Sequence, residues 1–211
     1  MRLHIGASRG QIATPEFAAL RSWNWIHLGE PEPLLECQQP VTNKTSCDGY
    51  LSFYYKISDR LPFADQTFTF AFSEHFFEHL FLDEAVELLK ECFRVMRPHA
   101  ILRVAVPDAD LRTYLAPEPA GYTTGDDRWF HPDKHKTRWS IYSLNYVLSE
   151  IGFHTRGLVY CDKFGQYHVQ HPDISHPFYH QCLDEEVVSQ TAYIGRFAHS
   201  LIVDARKPSL A

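Results

Sequence analysis

The sequence predicts an α/β fold with a mostly parallel β-sheet and helices on both faces. Two observations support this prediction. Short apolar runs typical of buried strands alternate with helical segments, and the fourth run, Thr67 to Ser73, is almost continuously apolar, as expected of a strand covered on both faces. Ligands of such sheets bind outside the carboxyl ends of the strands. We therefore expect the functional site at that edge.

Seven apolar runs are predicted to form strands. In chain order they cover residues 3–6, 23–29, 51–57, 67–73, 100–108, 155–161 and 199–205. A polar, helix-compatible segment around residues 15–21 predicts a crossover helix between the first two strands, and the turn-rich stretch 30–50 is predicted to be irregular.

Two further helices follow from apolar residues at helical spacing. The first is predicted from Asp83, which can cap its start, to Met96, and Pro98 stops it. The second is predicted over residues 142–151 and is closed by Gly152. The length of the chain favours one domain over residues 1–211.

Composition and charge exclude several classes of partner. The formal net charge of −6 argues against binding to a nucleic-acid backbone, which requires a basic surface. The chain has no apolar run near the roughly 20 residues that span a bilayer, so no membrane partner is expected. Its five cysteines are scattered without a Cys-x-x-Cys pair, which favours reduced thiols and a cytoplasmic protein.

The segment SEHFFEHL, residues 73–80, contains His75-x-x-Glu78-His79 directly after the fourth predicted strand. On a helix, His75 and His79 would share one face with Glu78 beside them, which is the pattern of a zinc-dependent hydrolase. A zinc site would require a third protein ligand, and the sequence indicates none, so zinc is not expected. A structural role for both histidines is the alternative.

The run from Leu61 to Asp108 resembles the class I S-adenosylmethionine-dependent methyltransferases. It contains Leu-Pro-Phe, a strand, His-x-x-Glu-His-Leu, a long helix ending in Arg-Val-x-x-Pro, and a strand ending in Val-Pro-Asp. Residues 135–153 and 200–208 are similar to later parts of that family. The resemblance implies a Rossmann-like fold with seven strands, S-adenosylmethionine as cofactor, and methyl transfer to a small-molecule, sugar or lipid-precursor acceptor.

The resemblance also implies which residues bind the cofactor. They are Gly6, Ala7 and Ser8 in the first loop, Glu30 after the second strand, and Ser73 and Glu74 after the fourth. The family has a further glycine where this chain has Ser8. That departure motivates an alternative hypothesis, a binding or scaffold protein of the same fold that uses no cofactor.

Two histidines are candidate general bases, because imidazole ionises near neutral pH. His75 is expected at the mouth of the sheet, and His135 leads into the last predicted helix. A hydrogen-bonded structural histidine is the alternative at each position.

Two segments are predicted to surround the site. Residues 109–140 are rich in aromatic side chains and are expected to form the acceptor pocket. Residues 161–198 form a connection too long for a simple hairpin, so we expect a lid or an interaction insertion. This connection contains four histidines, which suggest a second possible metal site: His168, His171, His176 and His180. The second subunit of a homodimer could also complete the pocket.

Overall fold

The computed structural model describes residues 1–6, 25–28, 45–47, 50–53, 60–111, 135–190 and 200–209. The strands in this part of the chain are β1 (Arg2–Ile5), β2 (Trp25–Leu28), β3 (Thr45–Cys47), β4 (Tyr50–Phe53), β5 (Phe68–Glu74), β6 (Met96–Pro107), β7 (His154–Cys161), β8 (Tyr167–Val169) and β9 (Ser200–Arg206). The helices are α1 (Leu82–Val95), α2 (Ile141–Ile151), α3 (Glu185–Gln190) and two short 3-10 helices, Phe77–His79 and Pro177–Tyr179.

All of these strands form one sheet in the order β3-β4-β2-β1-β5-β6-β9-β7-β8. β4, β2, β1, β5, β6 and β7 run in one direction, and β9 lies antiparallel between β6 and β7. These are the seven strands predicted from the sequence, and the predicted mostly parallel sheet is confirmed. β3 and β8 add short antiparallel strands at the two edges.

Three local predictions are wrong. Pro98 was expected to stop α1 after Met96, but α1 ends at Val95, and β6 begins at Met96 and includes Pro98. Residues 30–50 were expected to be irregular, but Thr45–Cys47 forms β3, a strand too short and too polar to show a period of two. Asp83 was expected to cap α1, but the helix begins at Leu82. The Phe81 N–H donates a 2.9 Å hydrogen bond to Glu84 Oε2, so the Glu84 carboxylate satisfies the N–H of the residue before the helix, and Asp83 lies in the first turn.

The end of α2 agrees with its prediction. Gly152 follows the helix with φ +113°, a left-handed conformation, and its N–H bonds to carbonyl oxygens of the last turn. Ser140 begins the helix by accepting a 3.2 Å hydrogen bond from the Ser143 N–H. Both ends of α2 are therefore closed by local hydrogen bonds.

The sheet has a hydrophobic layer on each face. Successive side chains of β5 point to opposite faces, so Ala71 belongs to one layer while Phe70 and Phe72 belong to the other. Helices α1 and α2 pack on the Ala71 side through buried aliphatic residues. Those residues are Ala85, Leu88, Leu89, Cys92, Val95, Ile141, Leu144 and Leu148.

The opposite face is covered by a segment between β8 and β9. Its buried side chains pack against Trp25, Phe70 and Phe72 of the sheet; they are Tyr179, Cys182, Val187 and Val188. We call residues 174–188 the second-face segment. It lies within the region predicted to be a lid or an interaction insertion, residues 161–198, of which the structure describes residues 161–190. That role stays a prediction.

Polar contacts attach the second-face segment to the sheet. The Arg2 guanidinium donates hydrogen bonds of 2.9 and 2.7 Å to the Asp184 carboxylate. Thr69 on β5 donates a further 2.9 Å bond to Asp184 Oδ2. Asp184 is therefore held by two neighbouring strands, β1 and β5.

The helices of the described ranges are each too short or too polar to cross a bilayer.

Candidate functional site

The end of β1 lies beside the end of β5 at the carboxyl edge of the sheet. Ile5 is paired with Ser73, so Gly6 follows at the level of Glu74. Gly6 has φ +77°, and its N–H donates a 2.8 Å hydrogen bond to the Leu28 carbonyl oxygen. A Cβ at Gly6 would lie 2.5 Å from the Cβ of Phe76, so both the backbone angle and the neighbouring side chain require glycine.

Ser73 and Glu74 place two polar side chains at this edge. Both residues are buried, although they end a strand next to loops. Ser73 Oγ has no hydrogen-bond partner among the described residues. A buried hydroxyl of this kind is uncommon, and a polar ligand group would satisfy it.

The chain turns sharply at His75, so His75 and His79 do not share the helical face considered for the zinc-hydrolase pattern. His75 has φ +48°, its N–H bonds to the Ala105 carbonyl oxygen at 2.9 Å, and only Phe77–His79 is helical, as one 3-10 turn. The two histidines are consequently not one α-helical turn apart. Phe77 and Leu80 of this segment are buried.

The His75 ring lies between an acidic and a hydroxyl side chain. Its Nδ1 is 3.3 Å from Glu78 Oε1, and its Nε2 is 2.8 Å from Ser200 Oγ. The order Glu–His–Ser resembles the relay of a serine hydrolase. Ser200 is only 1% exposed, however, so it presents no accessible hydroxyl to a substrate. The arrangement fixes the ring orientation of His75.

His135 lies beside His79, a proximity that the sequence analysis missed. Their rings meet edge to face with centroids 4.9 Å apart. The backbone N–H groups of Lys136 and Thr137 both donate to the Glu78 carbonyl oxygen, at 2.7 and 3.1 Å. No local sequence signal could have revealed this, because the two segments meet only through the tertiary fold.

Asp108 closes the edge at the end of β6. Its carboxylate accepts a 2.6 Å hydrogen bond from the Cys161 N–H and a 3.0 Å bond from the Asp110 N–H. Burial raises the pKa of Asp108 above its ordinary value, and the two backbone hydrogen bonds oppose that shift. Asp108 thereby ties β6 to the end of β7 beside the site.

The predicted acceptor-pocket segment, 109–140, is described only at its two ends. Trp139, near the second end, is buried in the main core, and its carbonyl oxygen accepts a 2.8 Å bond from the Ala109 N–H. Trp139 is thus a core residue. The other predicted aromatic residues of the pocket lie outside the described residues, as do the predicted cofactor-binding residues Ala7, Ser8 and Glu30.

Comparison with known proteins identifies this architecture. Residues 32–104 match the family model described as Methyltransferase domain. Among curated proteins, no sequence matches the chain.

Solved structures share the fold over almost the whole chain. An S-adenosylmethionine-dependent methyltransferase from Archaeoglobus fulgidus superposes with a TM-score of 0.55 at 15% identity, covering 98% of this chain and 85% of the other. One from Mesorhizobium loti gives the same TM-score and identity and covers 98% and 90%. One from Aquifex aeolicus has a TM-score of 0.53 at 15% identity and covers 97% and 80%.

The chain has a Rossmann-like α/β fold of the kind seen in the S-adenosylmethionine-dependent methyltransferase structures. The resemblance to the class I S-adenosylmethionine-dependent methyltransferases, inferred above from residues 61–108, is confirmed. The matched family model supports methyl transfer as the general activity.

Proposed function

We propose that the protein transfers the methyl group of S-adenosylmethionine to a small-molecule, sugar or lipid-precursor acceptor. The match of residues 32–104 to a methyltransferase domain is the observation that carries this proposal. That match runs through β5 and includes the edge residues 73–79. The match therefore includes the β5 side of the expected site, whereas Gly6 and His135 lie outside the matched residues.

The described edge residues fit a polar cofactor. Gly6 keeps the end of β1 free of a side chain, and Ser73 offers a buried hydroxyl without a hydrogen-bond partner in the described ranges. We propose that Gly6, Ser73 and Glu74 bind the cofactor together with Ala7, Ser8 and Glu30. S-adenosylmethionine, when bound, supplies a methyl group on a sulfonium sulfur.

His75 is the proposed general base for acceptors that carry a proton. The buried Glu78 carboxylate, 3.3 Å from Nδ1, would stabilise the imidazolium that forms when Nε2 takes the proton. In this role Nε2 exchanges its contact with Ser200 for one with the acceptor. His135, the second predicted base, lies at the same edge beside His79.

Titration calorimetry with S-adenosylmethionine, and separately with S-adenosylhomocysteine, tests the cofactor proposal. We expect micromolar binding of at least one of them. The Ser73→Ala variant should bind several-fold more weakly, because it removes the buried hydroxyl. Ser175→Ala is the matched control, since Ser175 is exposed in the second-face segment.

A folded wild-type protein that binds neither compound would contradict the proposal. It would favour the alternative of a binding or scaffold protein that uses no cofactor. Equal binding by Ser73→Ala and the wild type would instead show that the site is placed wrongly.

We also propose a cytoplasmic location and a homodimer. The location is supported by Cys92, Cys161 and Cys182, which are buried thiols in the reduced form. Light scattering of the purified protein tests the homodimer, and a monomeric mass at micromolar concentration would contradict it.

A further inference from the structure

Three side chains near the carboxyl edge form a cluster with the composition of a metal site. Glu78, His79 and His135 each offer one possible ligand atom, and these atoms lie within 4.8 Å of one another. Glu78 Oε1 is 3.8 Å from His79 Nε2. We call these residues the Glu78 cluster.

The backbone holds the Glu78 cluster together. His79 belongs to the same 3-10 turn as Glu78, and the hydrogen bonds from Lys136 and Thr137 to the Glu78 carbonyl oxygen fix the segment that carries His135. The Thr137 hydroxyl also donates to the Leu80 carbonyl oxygen. Two chain segments far apart in sequence are thus joined directly behind the three ligand atoms.

The carboxylate of Glu78 supplies a second, independent observation. Glu78 is 1% exposed, and neither of its carboxylate oxygens accepts a hydrogen bond from the described residues. A buried carboxylate without hydrogen bonds is costly unless a cation compensates it. Lys136 does not do so, because its Nζ lies over the ring of Phe81, 5.1 Å from the centroid.

Three histidines lie near the Glu78 carboxylate. His75 Nδ1 faces Glu78 Oε1 at 3.3 Å, and its Nε2 is held by Ser200 Oγ, so His75 borders the cluster with both ring nitrogens in contact with other side chains. His79 and His135 are only partly buried. Small rotations of these two side chains could therefore close the cluster around an ion.

We propose that Glu78, His79 and His135 bind a divalent transition metal of the Zn²⁺ type. One carboxylate and two imidazoles suit Zn²⁺ and its late first-row neighbours, whereas Mg²⁺ and Ca²⁺ prefer oxygen ligands alone. Three protein ligands leave a coordination position for water or for an electron-rich atom of a bound molecule. His135 is the third ligand that the sequence did not indicate.

This assignment differs from the zinc-hydrolase pattern considered for the sequence. There, His75 and His79 would share an α-helical face, but His75 precedes a single 3-10 turn. The structure replaces His75 with His135, which comes from another segment of the chain. It also assigns His135 to the metal and leaves the proposed base role to His75 alone.

Equilibrium dialysis against Zn²⁺, with metal content measured by mass spectrometry, tests the site. The full-length protein is first stripped with a chelator. We expect one equivalent of Zn²⁺ per chain, with affinity reduced at least tenfold by Glu78→Gln, His79→Ala or His135→Ala. Co²⁺ bound at the same site should give visible d–d absorption bands that disappear in His135→Ala.

A double variant outside the cluster provides the matched control. His171 and His176 belong to the four histidines considered for a second metal site, and both are exposed or half-exposed. The variant His171→Ala/His176→Ala should bind Zn²⁺ like the wild type. Circular dichroism and thermal unfolding show whether each variant is folded.

Two results would overturn the proposal. The first is a folded wild-type protein that retains no Zn²⁺ and gives no Co²⁺ spectrum. The second is full binding by folded Glu78→Gln and His135→Ala. No S-adenosylmethionine is used in these measurements, so failure of the metal site and failure of the proposed methyl transfer are distinguished.

Discussion

Arg103 on β6 and Asp204 on β9 are cross-strand neighbours that form a fully buried ion pair. Arg103 Nε and Nη2 each donate a 2.7 Å hydrogen bond to a different oxygen of the Asp204 carboxylate. Arg103 Nη1 donates to the Val188 carbonyl oxygen at 2.9 Å, and the Tyr179 hydroxyl donates to Asp204 Oδ2 at 2.7 Å. The pair therefore connects the sheet to the second-face segment.

We predict that Arg103→Leu lowers the free energy of unfolding by about 3–5 kcal/mol, because it leaves the Asp204 charge buried without its cation. Urea unfolding followed by circular dichroism measures this change. The double variant Arg103→Leu/Asp204→Leu should recover part of the loss. Arg60→Leu is the control, since Arg60 and Asp65 form an exposed pair whose loss should leave stability almost unchanged. Equal effects of Arg103→Leu and Arg60→Leu would contradict the prediction.

Gly6→Val is predicted to destabilise the fold itself. The new side chain would overlap Phe76, and the residue would have to keep φ +77°. We expect a loss of at least about 3 kcal/mol from these two effects. Gly165→Ala separates them, because Gly165 has φ +82° in an exposed turn. Similar losses for both variants would show that backbone strain alone matters.

The stabilising contribution of Glu91 should depend on pH. Hydrogen bonds from Arg94 lower the pKa of Glu91 below its ordinary value of 4.5, and the Leu61 N–H adds a 2.7 Å bond. Because the folded-state pKa is depressed, this contribution is present above the unfolded-state pKa and is lost as the pH falls through the folded-state value.

The Glu91→Gln variant tests this dependence. At pH 7 the free energy of unfolding of this variant should be about 1 kcal/mol lower than that of the wild type. The difference is modest because solvent screens the partly exposed ion pair. As the pH falls below 4.5 the difference should shrink progressively, because the folded-state pKa of Glu91 lies below that value. Glu87→Gln is the control, since Glu87 pairs with Lys90 at an exposed position. A difference that does not change with pH would contradict the assigned role.

The positions of the main strands along the chain could be predicted from the sequence, but contacts between distant segments could not. The strand of residues 67–73 and helix α2 were predictable because apolar periodicity and a terminal glycine, Gly152, are local signals. His135 beside His79 depends on backbone hydrogen bonds to the Glu78 carbonyl oxygen. Such backbone hydrogen bonds cannot be recognised from residue types, because any residue except proline at positions 136 and 137 could donate them.

The His75-x-x-Glu78-His79 pattern shows the same limit. Its spacing suggested one helical face, whereas His75 adopts φ +48° at the end of β5. The backbone angle is imposed by the turn from the strand into the 3-10 helix and is not evident from a histidine. These residues could be singled out from the sequence, but the geometry that relates them could not.

His75→Ala is predicted to reduce methyl transfer by 100-fold or more while leaving cofactor affinity within a few-fold of the wild type. The expectation applies to acceptors that lose a proton, once one is found by screening. His154→Ala is the control, because His154 is exposed at the start of β7 and pairs with Arg206 at the opposite end of the sheet. Unchanged turnover in His75→Ala would remove His75 from the proposed mechanism.

The position of β9 has a consequence for synthesis on the ribosome. β7 and β8 reach the rest of the sheet only through β9, which lies between β6 and β7 and comes later in the chain than all of them. When a nascent chain has left the ribosome only as far as Gln190, β7 and β8 can pair with each other. The strand that joins them to β6, which is β9, is then still missing. Completion of the sheet must wait for Arg206, and until then the exposed edge of β6 is open to mispairing or to chaperones.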